Sequence, residues 1–306
     1  MSWKNLKILA IAILLAMDVF FLYSLIEREH AAQYYDRELV DAATEIFRES
    51  SIYIDESFLT ARIISLPVYS GAMDETFFDA LTEKMEAEGY TAESGPGGMS
   101  FLGAGEEFYI GNDFTFLYQG NGEYERPSAL LADGTFEEYT SGDFSWAQRA
   151  AEDFLSAHCQ FSVEERTRFH YTLSYDAFYQ SGEDSILCVT QKIGGRDTGN
   201  RLYMLFSEGR IVSADGRFAM ISPQRKMTAQ TVGLMEILFA EKDYLDEIYR
   251  QSGAVSRENK VLIAVTDSYE VYFDADGTFY YVPVCKLTYQ DGETRTYNSV
   301  LGEIYS

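Results

Sequence analysis

The side chains that most often do chemistry are scarce in this sequence. Of 306 residues, three are histidine (His30, His158, His170) and three are cysteine (Cys159, Cys188, Cys285). His158 beside Cys159 joins an imidazole to a thiol, the couple that would make a cysteine nucleophile. Neighbours on a helix do not face each other, however, and such a couple needs hydrogen-bond reach and a third group to orient the base. The cysteines are widely spaced and form no CxxC pair, so neither a zinc cluster nor a disulfide framework is indicated. Buried free thiols are expected, with a Cys188–Cys285 bridge as the alternative. DADG at 274–277 has part of a calcium loop but not its position-twelve glutamate; it reads as a hairpin turn. Gly103-Ala104-Gly105 lacks the third glycine of a dinucleotide fingerprint, and no GxSxG, HExxH or P-loop occurs. Carboxylate pairs such as Glu106–Glu107 and Glu137–Glu138 are too common among 49 acids to define a glycosidase. No enzyme, no cofactor and no metal site is expected.

One residue stands out by its surroundings. Asp18 interrupts the apolar run ILAIAILLAMDVFFLYSLI, residues 8–26. At 1.5 Å per residue the run is roughly 28 Å long, about the thickness of bilayer hydrocarbon. Phe20, Phe21, Leu22 and Tyr23 stand where a secretory cleavage site needs small residues, so an uncleaved signal anchor is expected. Lys4 and Lys7 precede the run and Glu27, Arg28 and Glu29 follow it. The positive-inside rule then puts residues 1–7 in the cytoplasm and 27–306 outside, in a single-pass cell-membrane protein. An intramembrane carboxyl normally faces a partner helix, and Ala12 and Ala16 form a small-xxx-small face for close approach. Ala12, Ala16 and Asp18 are therefore the candidate partner-binding residues.

The charge narrows the remaining classes. The 24 Lys+Arg against 49 Asp+Glu leave −25, a surface that repels nucleic acid and anionic lipid. Residues 63–148 hold sixteen acids and two bases, Lys84 and Arg126. Such a surface is usually a solvated face, and it would also steer a basic partner.

The elements beyond residue 26 read as alternating helices and strands. A helix over Tyr34–Glu49 continues as a stalk, followed by extended chain that stops at Pro67. A helix over 74–88 is capped by Asp74, 94–105 is a loop, and aromatic alternation runs from Phe108 to Tyr118. Asn121-Gly122 and Asp133-Gly134 signal hairpins. A helix over 145–158 has Ser145 as N-cap. Strands follow at 168–175, 185–194, 201–207 and 210–214, with turns at Glu208-Gly209 and Asp215-Gly216. A helix within 227–250 starts at Thr228, and strands at 261–265, 268–273, 278–289 and 294–300 close the chain. The fold class is α+β: a single N-terminal transmembrane helix, then repeated units of a helix packed on an antiparallel β-meander, at 74–140, 145–222 and 228–300. The expected domains are a membrane-proximal one at 27–143 and a C-terminal one at 144–306.

Several stretches resemble one family. Met1-Ser2-Trp3-Lys4 with Lys7 before a membrane helix, Asp18 before Val19-Phe20-Phe21-Leu22, and SIYIDESFL after a stalk helix are similar to YycI proteins. So are SILCVTQKIGGRDTGNRLYMLFSEGRIVSADGRF, followed by a long helix, and YEVYFDADGTFYYVPVCKLTYQDGE. Ser2 stands where the family commonly has Asp, Asp18 where Asn is expected, and Cys285 where Trp is expected. The resemblance implies a non-catalytic, membrane-anchored regulator of a two-component sensor histidine kinase of the YycG (WalK) type. It would act through its transmembrane helix and extracellular domain in the Gram-positive cell envelope, with a YycH-like protein as a further membrane partner. The alternatives are an exofacial binding module for a cell-wall fragment or small ligand, and an envelope hydrolase.

Overall fold

The computed structural model describes residues 37–59, 65–140, 142–158, 171–221, 223–253, 257–274 and 277–305. The expected span 8–26, with Ala12, Ala16 and Asp18, lies outside them, as do His30, Cys159 and His170. No helix among the described residues is long and apolar enough to cross a membrane. The protein is mixed α+β, with large antiparallel sheets. The helices are α1 (Arg37–Glu49), α2 (Glu75–Ala87), α3 (Pro127–Ala132), α4 (Ser145–His158) and α5 (Leu234–Ser252). The strands are β1 (Ile52–Tyr53), β2 (Ser65–Ala72), β3 (Thr91–Gly95), β4 (Gly98–Leu102), β5 (Glu107–Gly111), β6 (Thr115–Gln119), β7 (Glu137–Glu138) and β8 (Tyr171–Ser181). Then come β9 (Asp184–Ile193), β10 (Arg196–Ser207), β11 (Arg210–Arg217), β12 (Gln224–Gln230), β13 (Lys260–Phe273), β14 (Thr278–Tyr289) and β15 (Thr294–Asn298).

Two compact units arise. The first takes the described residues up to Leu66, Ala229–Thr266 and those from Val284 on; the second takes Pro67–Thr228 and Asp267–Pro283. The sequence predicts instead a division between 27–143 and 144–306. Strand pairing between distant stretches explains the difference: in the first unit Ile52 and Tyr53 pair in parallel with Lys260 and Val261. There β14 also pairs with β15 over Val284–Thr288. The apolar faces of α1 (Ala43, Phe47) and α5 (Ile237, Leu238, Leu245) form a core with Leu262, Leu287, Tyr289 and Tyr297.

The second unit holds a nine-stranded sheet, in the order β3-β4-β5-β6-β11-β10-β9-β8-β7. The stretches expected as separate meanders, 74–140 and 145–222, thus share one sheet. Ala147, Ala151 and Leu155, four apart on α4, pack with Phe108, Phe116 and Leu187 of this sheet in one core. Asp74 caps α2 as expected, its carboxylate accepting from Phe77 N–H at 3.1 Å.

Several local expectations are corrected. The 94–105 loop is a hairpin: Gly95 pairs with Gly98 across Pro96-Gly97, and Gly97 takes φ +96, the backbone a type II turn requires. Asp133-Gly134 ends α3 instead of making a hairpin, because a helix end uses the same positive φ of glycine. Asp215-Gly216 lies inside β11, where a Cβ on Gly216 would stand 2.1 Å from the Arg201 carbonyl oxygen. That glycine permits close strand approach and marks no turn. Ser145 is the first residue of α4 and not its cap: the Phe144 carbonyl accepts from Ala147 N–H at 3.0 Å, and the Asp143 carboxylate accepts from Ser145 N–H at 2.8 Å. Thr228 lies in β12, and α5 begins after Gly233. Strands 261–265 and 268–273 are one strand, β13. Pro67 sits within β2, whose pairing to β14 covers only Tyr69–Ala72, so its missing N–H breaks no rung of that ladder.

Candidate functional site

The residues named from sequence do not converge. His158 ends α4 with its ring against Phe108 and Phe154, centroids 4.9 and 4.7 Å away. Burial pushes its pKa down against the opposing pull of Glu106 and Glu88. Cys188 and Cys285 are buried and not disulfide-bonded, and burial pushes the Cys188 thiol up, away from a reactive thiolate. No group of three His, Cys, Asp or Glu among the described residues could hold a metal ion.

Most strongly bonded polar groups serve the frame. In the first unit Glu241 on α5 is fully buried. Its carboxylate accepts from Tyr289 OH at 2.8 Å, from Arg295 Nη1 at 2.7 Å and from Tyr297 OH. Arg295 also bonds Glu293 through Nε at 2.8 Å, and Lys260 Nζ reaches Glu293 at 2.6 Å and Asp291. Burial, then the Glu241 charge, pushes the Tyr289 phenol up; the hydrogen bonds from Lys260 hold Asp291 and Glu293 below their ordinary values. In the second unit Asp215 is buried against Ser128, and the set around Tyr281 is neutral. Tyr171 OH donates to Tyr281 OH at 2.9 Å, Asn200 Nδ2 donates to Tyr281 OH at 2.7 Å, and Gln191 exchanges two bonds with the backbone of Ala219.

The open site is a cavity of about 340 Å³ in the second unit, lined by Glu106, Tyr118, Asn121, Tyr124, Glu208, Arg210 and their neighbours. The loop after β6 forms one wall. Gly120 N–H donates to Val212 O at 2.9 Å, and Gln119 Nε2 bonds Gly122 O at 3.1 Å. This Asn121-Gly122 turn, expected as a hairpin, leads into α3 instead. The β10–β11 turn forms another wall, with Glu208 and Gly209 both at positive φ, 50° and 74°. Gly105 holds φ +92, and a Cβ there would lie 1.6 Å from Asn121 Oδ1, so the Asn121 amide rests on bare backbone.

At the inner wall Tyr90 OH donates to Glu106 at 2.8 Å. Burial and the Glu106 carboxylate push the Tyr118 phenol up to about 12, so it too stands as a neutral donor. No cation pairs with Glu106 among the described residues, and Arg210 at the rim has no carboxylate partner there. A second cavity of about 190 Å³ shares Tyr118 and adds Arg126. In the sequence Glu106 is one acid among 49, and the visible parts of this site are Tyr118 in its aromatic alternation and the turns at 121–122 and 208–209.

Among solved structures, the chain is similar to an uncharacterized protein from Eubacterium rectale, at 14% identity and a TM-score of 0.47 over 83% of this chain and 90% of that one. It is also weakly similar to the Bacillus megaterium YpeB C-terminal domain, at 9% identity and a TM-score of 0.30 over 77% of this chain and 96% of that one. Neither likeness is close enough to carry an argument about function. No family model and no curated protein matches the chain.

Proposed function

We propose that this chain is a non-catalytic, membrane-anchored regulatory protein that modulates a two-component sensor histidine kinase, as its resemblance to YycI proteins implies. Residues 8–26 cross the cell membrane with the N-terminus in the cytoplasm, and the α+β units lie outside. The observation that carries this reading is the apolar run marked by Asp18 beside the Ala12/Ala16 face. A carboxyl in hydrocarbon is favourable only with a hydrogen-bond partner, and small residues let helix backbones approach. The partners are the kinase's membrane helices and a YycH-like protein. The engagement of Glu241, Arg295 and Lys260 in the frame also fits a protein that works by contact.

The test is co-immunoprecipitation from membranes at matched expression. Interhelical hydrogen bonds in membranes average only about 0.6 kcal/mol, so Asp18→Leu should weaken capture of the kinase without abolishing it. Ala12→Ile with Ala16→Ile should do more, because added bulk removes close packing along the crossing. Wild-type capture by both variants would overturn the helix as the recognition element.

A further inference from the structure

We infer that the cavity between the 120–124 loop and the β10–β11 turn binds a small zwitterion carrying both an ammonium and a carboxylate, of which a free α-amino acid is the simplest. The argument starts from charges of both signs that line one cavity and do not neutralise one another. Among the described residues Glu106 is held by the Tyr90 hydroxyl and makes no ion pair, its charge facing only the His158 ring, which burial keeps from protonating, while exposed Arg210 makes no ion pair with a carboxylate. A ligand seated there strips water from both. Burying a charge is costly unless an opposite charge replaces the water, so the fitting occupant brings an ammonium to Glu106 and a carboxylate to Arg210.

The alternatives fit less well on the same grounds. A purely anionic ligand meets Glu106 and Glu208, and it approaches through the field of a segment, 63–148, with sixteen acids and two bases. A purely cationic ligand is drawn by that field but leaves Arg210 uncompensated. A neutral sugar compensates neither charge. Tyr118, Tyr124, Ile211 and Val212 supply a mixed aromatic and aliphatic wall for a side chain, and a ring face also favours an ammonium. The volume of about 340 Å³ lies at the small end of the roughly 300–1,000 Å³ of small-molecule sites. This inference is independent of the membrane reading, and its failure would leave that reading standing.

The experiment is isothermal titration calorimetry on the full chain in detergent. Glycine and a panel of free amino acids of both hands are titrated, with methylammonium, propionate and N-acetylglucosamine as probes of the single parts. At least one amino acid should bind saturably, at least tenfold more tightly than any single-part probe. E106Q and R210Q should each weaken it at least tenfold. Glu106 lies partly inside the fold, so a folded R210Q, changed only at an exposed rim position, decides the matter if E106Q does not fold. Equal or tighter binding of N-acetylglucosamine, methylammonium or propionate would overturn the inference. So would the absence of amino-acid binding, or amino-acid binding that R210Q leaves unchanged.

Discussion

In the first unit the polar centre of the core is ionic, with Glu241 receiving two phenols and the Arg295 guanidinium. In the second it is neutral, with Asn200, Gln191, Tyr171 and Tyr281 bonding one another and the Ala219 backbone. Both pair buried polar atoms, with Asn200 Oδ1 left over in the second, and they fail differently. Removing one member of an ionic centre strands a charge, whereas removing one member of a neutral centre strands a dipole. The first loss is the larger and depends on pH; the second is smaller and does not.

The largest expected effect tests that difference directly. Arg295→Leu leaves the Glu241 carboxylate buried without its cation and should cost the first unit about 3–5 kcal/mol. Urea unfolding monitored by hydrogen exchange of β14 and β15 amides measures it. Adding Glu241→Leu should recover much of the loss, because the stranded charge goes as well. A loss below about 1 kcal/mol for the single variant would break the comparison, since that is the scale of an exposed pair. In the second unit Tyr171→Phe removes the hydroxyl that donates to Tyr281 OH and strands one neutral group, at about 1–3 kcal/mol. Exchange of β9 and β10 amides reads it, and the loss should be the same at pH 5 and pH 8.

Acid should separate the centres next. Glu293 is held below its ordinary 4.5 and Asp291 below 3.8, chiefly by Lys260. A carboxylate with a depressed folded pKa stabilises fully above its unfolded value, and that stability is lost as pH falls through the folded value. Protection of β15 amides should therefore drop below about pH 4.5 while protection of the Gln191–Ala219 region holds. An equal decline in both would remove the distinction. The smallest effect lies outside both centres: Asp74→Ala removes the α2 cap at a cost of about 1 kcal/mol. Thermal melts should show a loss well short of that for Arg295→Leu.

What was legible in the residues divides along similar lines. Local signals were readable: the Asp74 cap, the Glu208-Gly209 turn and the Phe108–Tyr118 alternation need only a few consecutive residues. Asp-Gly at 133–134 and 215–216 misled because glycine serves a helix end and a close strand approach as well as it serves a hairpin. The candidate site was hardly legible. It exists because β6 pairs with β11 and passes over four intervening strands, which sets Glu106 and Asn121 beside Glu208 and Arg210. No periodicity in the chain announces that register. The ionic centre was hidden for the same reason: Glu241, Lys260 and Arg295 belong to three different elements.

The parallel pairing of Ile52 and Tyr53 with Lys260 and Val261 sets a timetable for biosynthesis. At about 5–20 residues per second, roughly 10–40 s separate the appearance of the two strands from the ribosome. During that interval α1 has no access to Ile237, Leu238 or Leu245 of its core, and Ala43 and Phe47 wait uncovered. The nine-stranded sheet draws only on residues 91–217 and can assemble meanwhile. The nine-stranded sheet is therefore the first part to form, ahead of the Asp267–Pro283 stretch that completes the second unit, and a fragment ending near residue 230 should already protect β9 and β10 while leaving α1 open to protease. Protection of α1 at that length would refute the timetable.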